Sequence, residues 1–160
     1  MCYYSYAMKI LVVSDSHGND EILQELYSQY PNMDYYLHAG DSQSSSMVIY
    51  PFDSVLGNCD YYDFDRCRRI KTSVGDIFMK HFPTLHSNEA KDVKIFIHGH
   101  THKNALYIDN DGLITLCPGS ISRPRDGTIG SYAIINIENE RIEIKVIEAK
   151  TNNILKLLNL

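Results

Sequence analysis

The strongest constraint on this 160-residue chain is a repeated one: a short apolar run that stops abruptly at Asp, Asn or His. Residues 9–14 are a continuous β-branched run that ends at Asp15-Ser16-His17-Gly18-Asn19. Residues 33–38 run into Gly40-Asp41, and residues 53–56 stop at Gly57-Asn58-Cys59-Asp60. Residues 76–80 lead to His81, and residues 93–97 to His98-Gly99-His100-Thr101-His102. Runs of this length, bounded by polar loops, read as buried strands. In open α/β sheets ligands bind beyond the carboxyl ends of strands, so the pattern places five sets of polar side chains where a site forms.

The intervening segments fill in the architecture. Residues 20–30 carry Ile22, Leu23, Leu26, Tyr27 and Tyr30 at helical spacing, with acids early and Pro31 as a stop. Residues 42–46 form a polar loop leading to a short turn or helix before Pro51. Two hairpins follow: residues 105–108 and 113–117 around Asn110-Asp111-Gly112, then residues 131–137 and 141–147 around Glu138-Asn139-Glu140. The tail, residues 154–160, is expected to form a short helix. The early part thus reads β-α and the later part antiparallel β. The fold class is α/β, with a mixed sheet or two stacked mixed sheets flanked by helices.

The length suits one domain, expected over residues 8–150 with an extension at 1–7 and a tail at 151–160. The net charge of −5 disfavours a broad grip on nucleic acid, which draws on Lys and Arg displacing counterions. No apolar run approaches the roughly 20 residues of a membrane span. Cys2, Cys59, Cys67 and Cys117 show neither a CxxC pair nor a disulfide spacing, which predicts reduced thiols and a cytoplasmic protein. A small or locally bound substrate fits this balance, and exposed strand edges with the Leu-rich tail make a homodimer the expected oligomer.

Asp15, His17, Asp41, Asn58, His81, His100 and His102 make a nitrogen and oxygen donor set that needs no thiolate and suits Mn, Fe, Zn or Ni. A single Asp-x-His or His-x-His is a weak signal, since polar residues at strand ends are commonly caps or turn formers; five such loops in one small domain are not. A Gly-x-Ser-x-Gly elbow and a Walker-type loop are both absent from the sequence.

The order Asp15-x-His17, Gly40-Asp41, Gly57-Asn58-x-Asp60, His81 and Gly99-His100-x-His102 resembles the calcineurin-like metallophosphoesterases. Gly57-Asn58-Cys59-Asp60 and Pro118-Gly119-Ser120 make it most similar to the small YfcE-type phosphodiesterases. The resemblance implies two divalent cations, Mn first and Ni, Fe or Zn as alternatives. One would be held by Asp15, His17, Asp41 and His102, the other by Asp41, Asn58, His81 and His100, with Asp41 shared. Two cations about 3.5–4 Å apart acidify a bridging water and brace the phosphoryl oxygens for in-line attack. The implied activity is hydrolysis of phosphodiesters, with monoesters as a secondary class, and the implied catalytic residues are Asp41, Asn58, Asp60 and Arg125.

Three departures from the family pattern bear on specificity. Cys59 stands where many relatives carry a His that helps the leaving group, which predicts a preference for esters with good leaving groups. His81-Phe82-Pro83 replaces His-Gly-His, and Cys117 replaces the Asn before Pro-Gly-Ser. His38 and His98 are expected to be buried, hydrogen-bonded histidines outside the metal shell. Asp60 orients the site from behind or ends a turn, and Arg125 reaches the substrate phosphate or lies in a surface loop. Arg66, Arg68, Arg69 and Lys71 read as a solvated strand and loop, and residues 109–112 as a hairpin turn. The alternative to an enzyme is a weakly active metal-binding scaffold for protein interaction, the role of the retromer subunit with this same fold.

Overall fold

A computed structural model describes residues 7–125 and 127–160. The expected extension at 1–7 therefore falls, apart from Ala7, outside the described residues. The chain runs β1 (Met8–Val13), α1 (Asp20–Gln29), β2 (Tyr35–His38), α2 (Ser46–Ile49), β3 (Asp53–Ser54), β4 (Cys67–Ile70), β5 (Asp76–Lys80) and β6 (Val93–Ile97). It continues through β7 (Ala105–Ile108), β8 (Ile114–Cys117), β9 (Ser131–Glu138), β10 (Arg141–Glu148) and β11 (Ile154–Asn159).

These strands form two mixed sheets, one ordered β11-β10-β9-β1-β2-β3 and the other β4-β5-β6-β8-β7. The uninterrupted apolar run Ile10–Val13 of β1 follows from burial on both faces. Ile10 and Val12 point into the layer between the sheets, against Ile77, Met79, Ile95, Ile97, Ile114 and Leu116 of the second sheet. Leu11 and Val13 point the other way, onto Leu23 and Leu26 of α1 and Ile49 of α2. The helices thus cover the outer face of the first sheet. Asp20 and Glu21 in the first turn of α1 complement its dipole.

The β9–β10 hairpin closes through Asn139 and Glu140, both at positive φ (49° and 66°), the pairing of a type I′ turn. The tail corrects the sequence expectation: it is strand β11, paired antiparallel with β10. Ile154, Leu157 and Leu158 do fit a helical period, but β10 leaves an edge of unpaired backbone groups, and Leu155 and Leu158 gain burial by packing on the core from a strand. The basic segment is strand β4, where structural pairs occupy its charges. Arg68 meets Asp53 at 2.5 Å, and Arg69 and Lys71 each meet buried Asp76 at 2.8 Å. Arg69 also lies 4.9 Å over the Phe78 ring. The 109–112 segment is the expected turn, with Asp109 Oδ1 accepting from the amides of Asp111 and Leu113.

Candidate metal centre

Each loop of the site begins where an apolar strand ends, and the chain bends there at a cost. Asp15, His17, Asp41, His100 and His102 all hold φ between 47° and 67°, a region that costs a non-glycine residue energy and recurs at functional sites. Two glycines let the loops close on one another. A Cβ at Gly57 would stand 2.1 Å from Asp41 Oδ1, and one at Gly99 would stand 2.1 Å from Ser14 Oγ and 2.9 Å from Asp15 Oδ2.

The bends bring all seven expected donor residues into one cluster. Donor atoms of Asp15, His17 and His102 lie within 4.8 Å of one another, as do those of Asp15, Asp41 and His81. Asn58 Oδ1 joins them, 2.9 Å from both His81 Nε2 and His100 Nδ1. Cys59 belongs there as well, its sulfur converging with donors of His17 and Asp41, although the nitrogen and oxygen set of the sequence did not call for a thiol.

Ring partners fix which nitrogen carries the proton, because a carbonyl oxygen can only accept. His102 Nδ1 donates to the Arg123 carbonyl at 2.7 Å, and His17 Nδ1 donates to Gln43 Oε1 at 2.9 Å. Their Nε2 atoms face each other at 3.3 Å. Asp15 Oδ1 lies 3.2 Å from His102 Nε2 and 4.0 Å from His17 Nε2. That oxygen is fully buried and has no hydrogen-bond partner among the described residues. Two imidazole Nε2 atoms and a buried carboxylate oxygen thus converge, and a cation fits that arrangement.

The other half pairs His81 with Asn58 and Asp41. His81 Nδ1 donates to the Ala39 carbonyl at 2.8 Å, while its Nε2 faces Asn58 Oδ1 at 2.9 Å and Asp41 Oδ2 at 3.4 Å. Burial works against its charge, yet the Asp41 and Ala39 partners raise its basicity above that of an ordinary imidazole. Burial likewise pushes Asp41 up, but His81 and the Cys59 amide, which donates to Oδ1 at 2.7 Å, hold its carboxyl well below the usual range. Desolvation raises the Asp15 carboxyl and lowers the His100 imidazole, and the positive charge of exposed Arg125 lowers His100 further.

Behind the cluster, Asp60 accepts from the amides of Asp41 (2.9 Å), Gly57 (2.7 Å) and Gln43 (2.7 Å), and from Ser42 Oγ (3.3 Å), tying two loops together. Ser120 of the Pro-Gly-Ser turn and Ser122 just beyond it donate to the Asp15 carbonyl at 2.7 and 3.2 Å. Ser122 also donates to the Ser16 carbonyl at 2.7 Å. Buried Cys117 sits behind Gly99 and Thr101, its thiol pushed up to about 11 by burial. His38 accepts from the Gly40 amide and bonds Ser16 Oγ, with burial holding it neutral at a pKa of about 4. His98 is buried against the Gly99 carbonyl. Neither belongs to the donor cluster. His86 lies in a turn whose amide donates to Glu89. Gln43 and Ser122 carry no sequence motif and could not have been picked from the chain alone.

Residues 8–140 match the model of the calcineurin-like phosphoesterase superfamily domain. The chain belongs to that superfamily. It is 28% identical over 166 residues to the probable metallophosphoesterase YsnB of Bacillus subtilis (strain 168), covering 95% of this chain and 98% of that protein. A conserved Streptococcus pneumoniae TIGR4 protein, described as a predicted phosphoesterase, shares the fold at TM-score 0.80 and 23% identity over 97% of this chain and 99% of that one. The Escherichia coli phosphoesterase Yfce does so at TM-score 0.71 and 20% identity, over 94% and 98%. Membership of that superfamily goes with phosphoesterase chemistry, and the cluster supplies residues that could hold a metal ion. No helix among the described residues is long and apolar enough to cross a membrane.

Proposed function

We propose that the chain hydrolyses phosphodiesters at a site for two divalent cations that share Asp41. The convergence of Asp15 Oδ1 with the two Nε2 atoms of His17 and His102 carries this reading. Asp15, His17, Asp41 and His102 would hold one cation; Asp41, Asn58, His81 and His100 would hold the other. Predominantly nitrogen and oxygen donors suit Mn first, with Ni, Fe or Zn as alternatives. Cations bound there supply charge for the phosphoryl oxygens and acidify the attacking water toward neutrality.

The chain's own residues do the rest. The carbonyls of Ala39 and Arg123 and the side chain of Gln43 orient three imidazoles before any substrate arrives. Asp60 holds the Asp41 loop against Gly57 and acts as a positioning residue. Arg125 supplies a guanidinium for a non-bridging phosphate oxygen. As the water oxygen bonds to phosphorus in line, the ester P–O bond breaks and the alkoxide departs. Cys59 is a poor proton donor, its thiol raised by burial and by Asp41, so the alkoxide takes its proton from solvent. Esters with good leaving groups are therefore preferred. Cys59, Cys67 and Cys117 are free, in keeping with a reducing, cytoplasmic setting.

The test is to load the protein with Mn, Ni, Fe or Zn in turn and assay aryl and alkyl phosphodiesters and phosphomonoesters, with Asp41→Asn beside the wild type. Aryl diesters should turn over fastest, and the variant should lose both metal and turnover. Metal uptake without turnover of any ester would defeat the reading.

A further inference from the structure

Phe82 occupies the position that the family pattern gives to a small residue, and the structure leaves half of it in solvent: its relative exposure is 50%. A single exposed Phe ordinarily means nothing. This one is fixed at the mouth of the donor cluster. Its ring centroid lies 4.8 Å from that of His100 at 52°, and 5.4 Å from that of His81 at 72°. Those two imidazoles both address Asn58 Oδ1 at 2.9 Å. The ring therefore stands about one ring width from the donors, and packing on the histidines limits its motion.

Phe82 offers no donor or acceptor, so what it recognises is a flat apolar surface, and aromatic partners settle at centroid separations of about 4.5–7 Å.

We propose that Phe82 is a specificity-determining residue that stacks on an aromatic ester group of the substrate. This rests on the phosphoesterase reading and narrows it to small phosphodiesters bearing an aryl or nucleobase-like ring. Stacking of a ring on an aromatic side chain is worth about 1–3 kcal/mol, or roughly 5- to 150-fold in affinity. The acidic total of the chain argues against a longer nucleic acid as the bearer of that ring.

Phenylphosphonate and methylphosphonate separate the stacking from the chemistry, because neither has a leaving group for Cys59 to affect. Calorimetric titration of the Mn-loaded full chain should give the phenyl compound at least about fivefold tighter binding. The ratio should fall to about one in Phe82→Leu, which still shields His81 but cannot stack, and should be kept in Phe82→Tyr. Methylphosphonate binding with no phenyl preference, or a preference that survives in Phe82→Leu, would overturn the stacking role and leave the phosphoesterase reading intact. Failure of both phosphonates to bind, together with no diester turnover, would overturn both.

Discussion

The two halves of the donor cluster are built from the same residue types and differ in how their carboxylates are partnered. Around Asp15, two imidazole Nε2 atoms converge on a buried oxygen that has no hydrogen-bond partner among the described residues. Around Asp41, both carboxylate oxygens have neighbours, the Cys59 amide donating to Oδ1 and His81 lying 3.4 Å from Oδ2, and the basicity of His81 is raised. One half centres on an unpartnered oxygen; the other on a carboxylate that its neighbours already address. The two halves should therefore answer differently to substitution and to pH.

The largest effect is expected from removing the charge in the Asp15 half. Asp15→Asn replaces a buried, unpaired carboxylate oxygen by a neutral amide, whereas Asp15 Oδ2 accepts from Ser14 Oγ and the His100 amide, bonds an amide oxygen can keep. Leaving a buried polar atom unmet costs about 1–3 kcal/mol, so the metal-free variant should be no less stable than the wild type. Metal stoichiometry should drop from two to one, and diester turnover to background. Calorimetric metal titration alongside thermal unfolding of the metal-free protein reads both. A marked loss of metal-free stability would mean that Asp15 already has a structural partner and the halves do not differ.

The raised basicity of His81 predicts a pH response. A folded-state pKa raised above the unfolded value gives His81 a stabilising contribution that is full below about pH 6.5. It is lost as pH rises through the raised value. Asp41 runs the opposite way: its depressed carboxyl contributes above about pH 4 and is lost as pH falls through its low folded value. Since a ligating imidazole must be neutral, the metal on the His81 side should bind up to about tenfold more tightly for each unit that pH rises toward that raised pKa. His81→Gln should flatten the dependence. A pH-independent affinity in the wild type would contradict that raised basicity.

How much of this the sequence carries follows from the same physics. The strand ends were legible because an apolar run that stops at a polar Gly-containing loop is a local pattern, and all seven expected donors do meet. The tail was not: Ile154, Leu157 and Leu158 satisfy two periods, and only the open edge of β10 decides between them. The difference between the halves was equally hidden. It depends on which oxygen faces each ring nitrogen, and Gln43, Ala39 and Arg123 reach their histidines across 26, 42 and 21 residues.

Those remote partners supply the smallest effect and the finest test of the comparison. Gln43 holds φ at 57°, and the three-atom reach of its side chain brings Oε1 to His17 Nδ1 at 2.9 Å. Its counterparts on His81 and His102 are backbone carbonyls, which no substitution removes. Gln43→Ala therefore loosens one imidazole of the Asp15 half and leaves the His81 half untouched. Outer partners of this kind are worth about 10–100-fold in metal affinity, and a partly exposed amide should fall at the lower end. The weaker step of a two-step metal titration should appear in the Asp15 half alone, with the pH dependence of the His81 half unchanged. If both steps weaken together, the halves are one coupled unit through Asp41 and the contrast drawn between them fails.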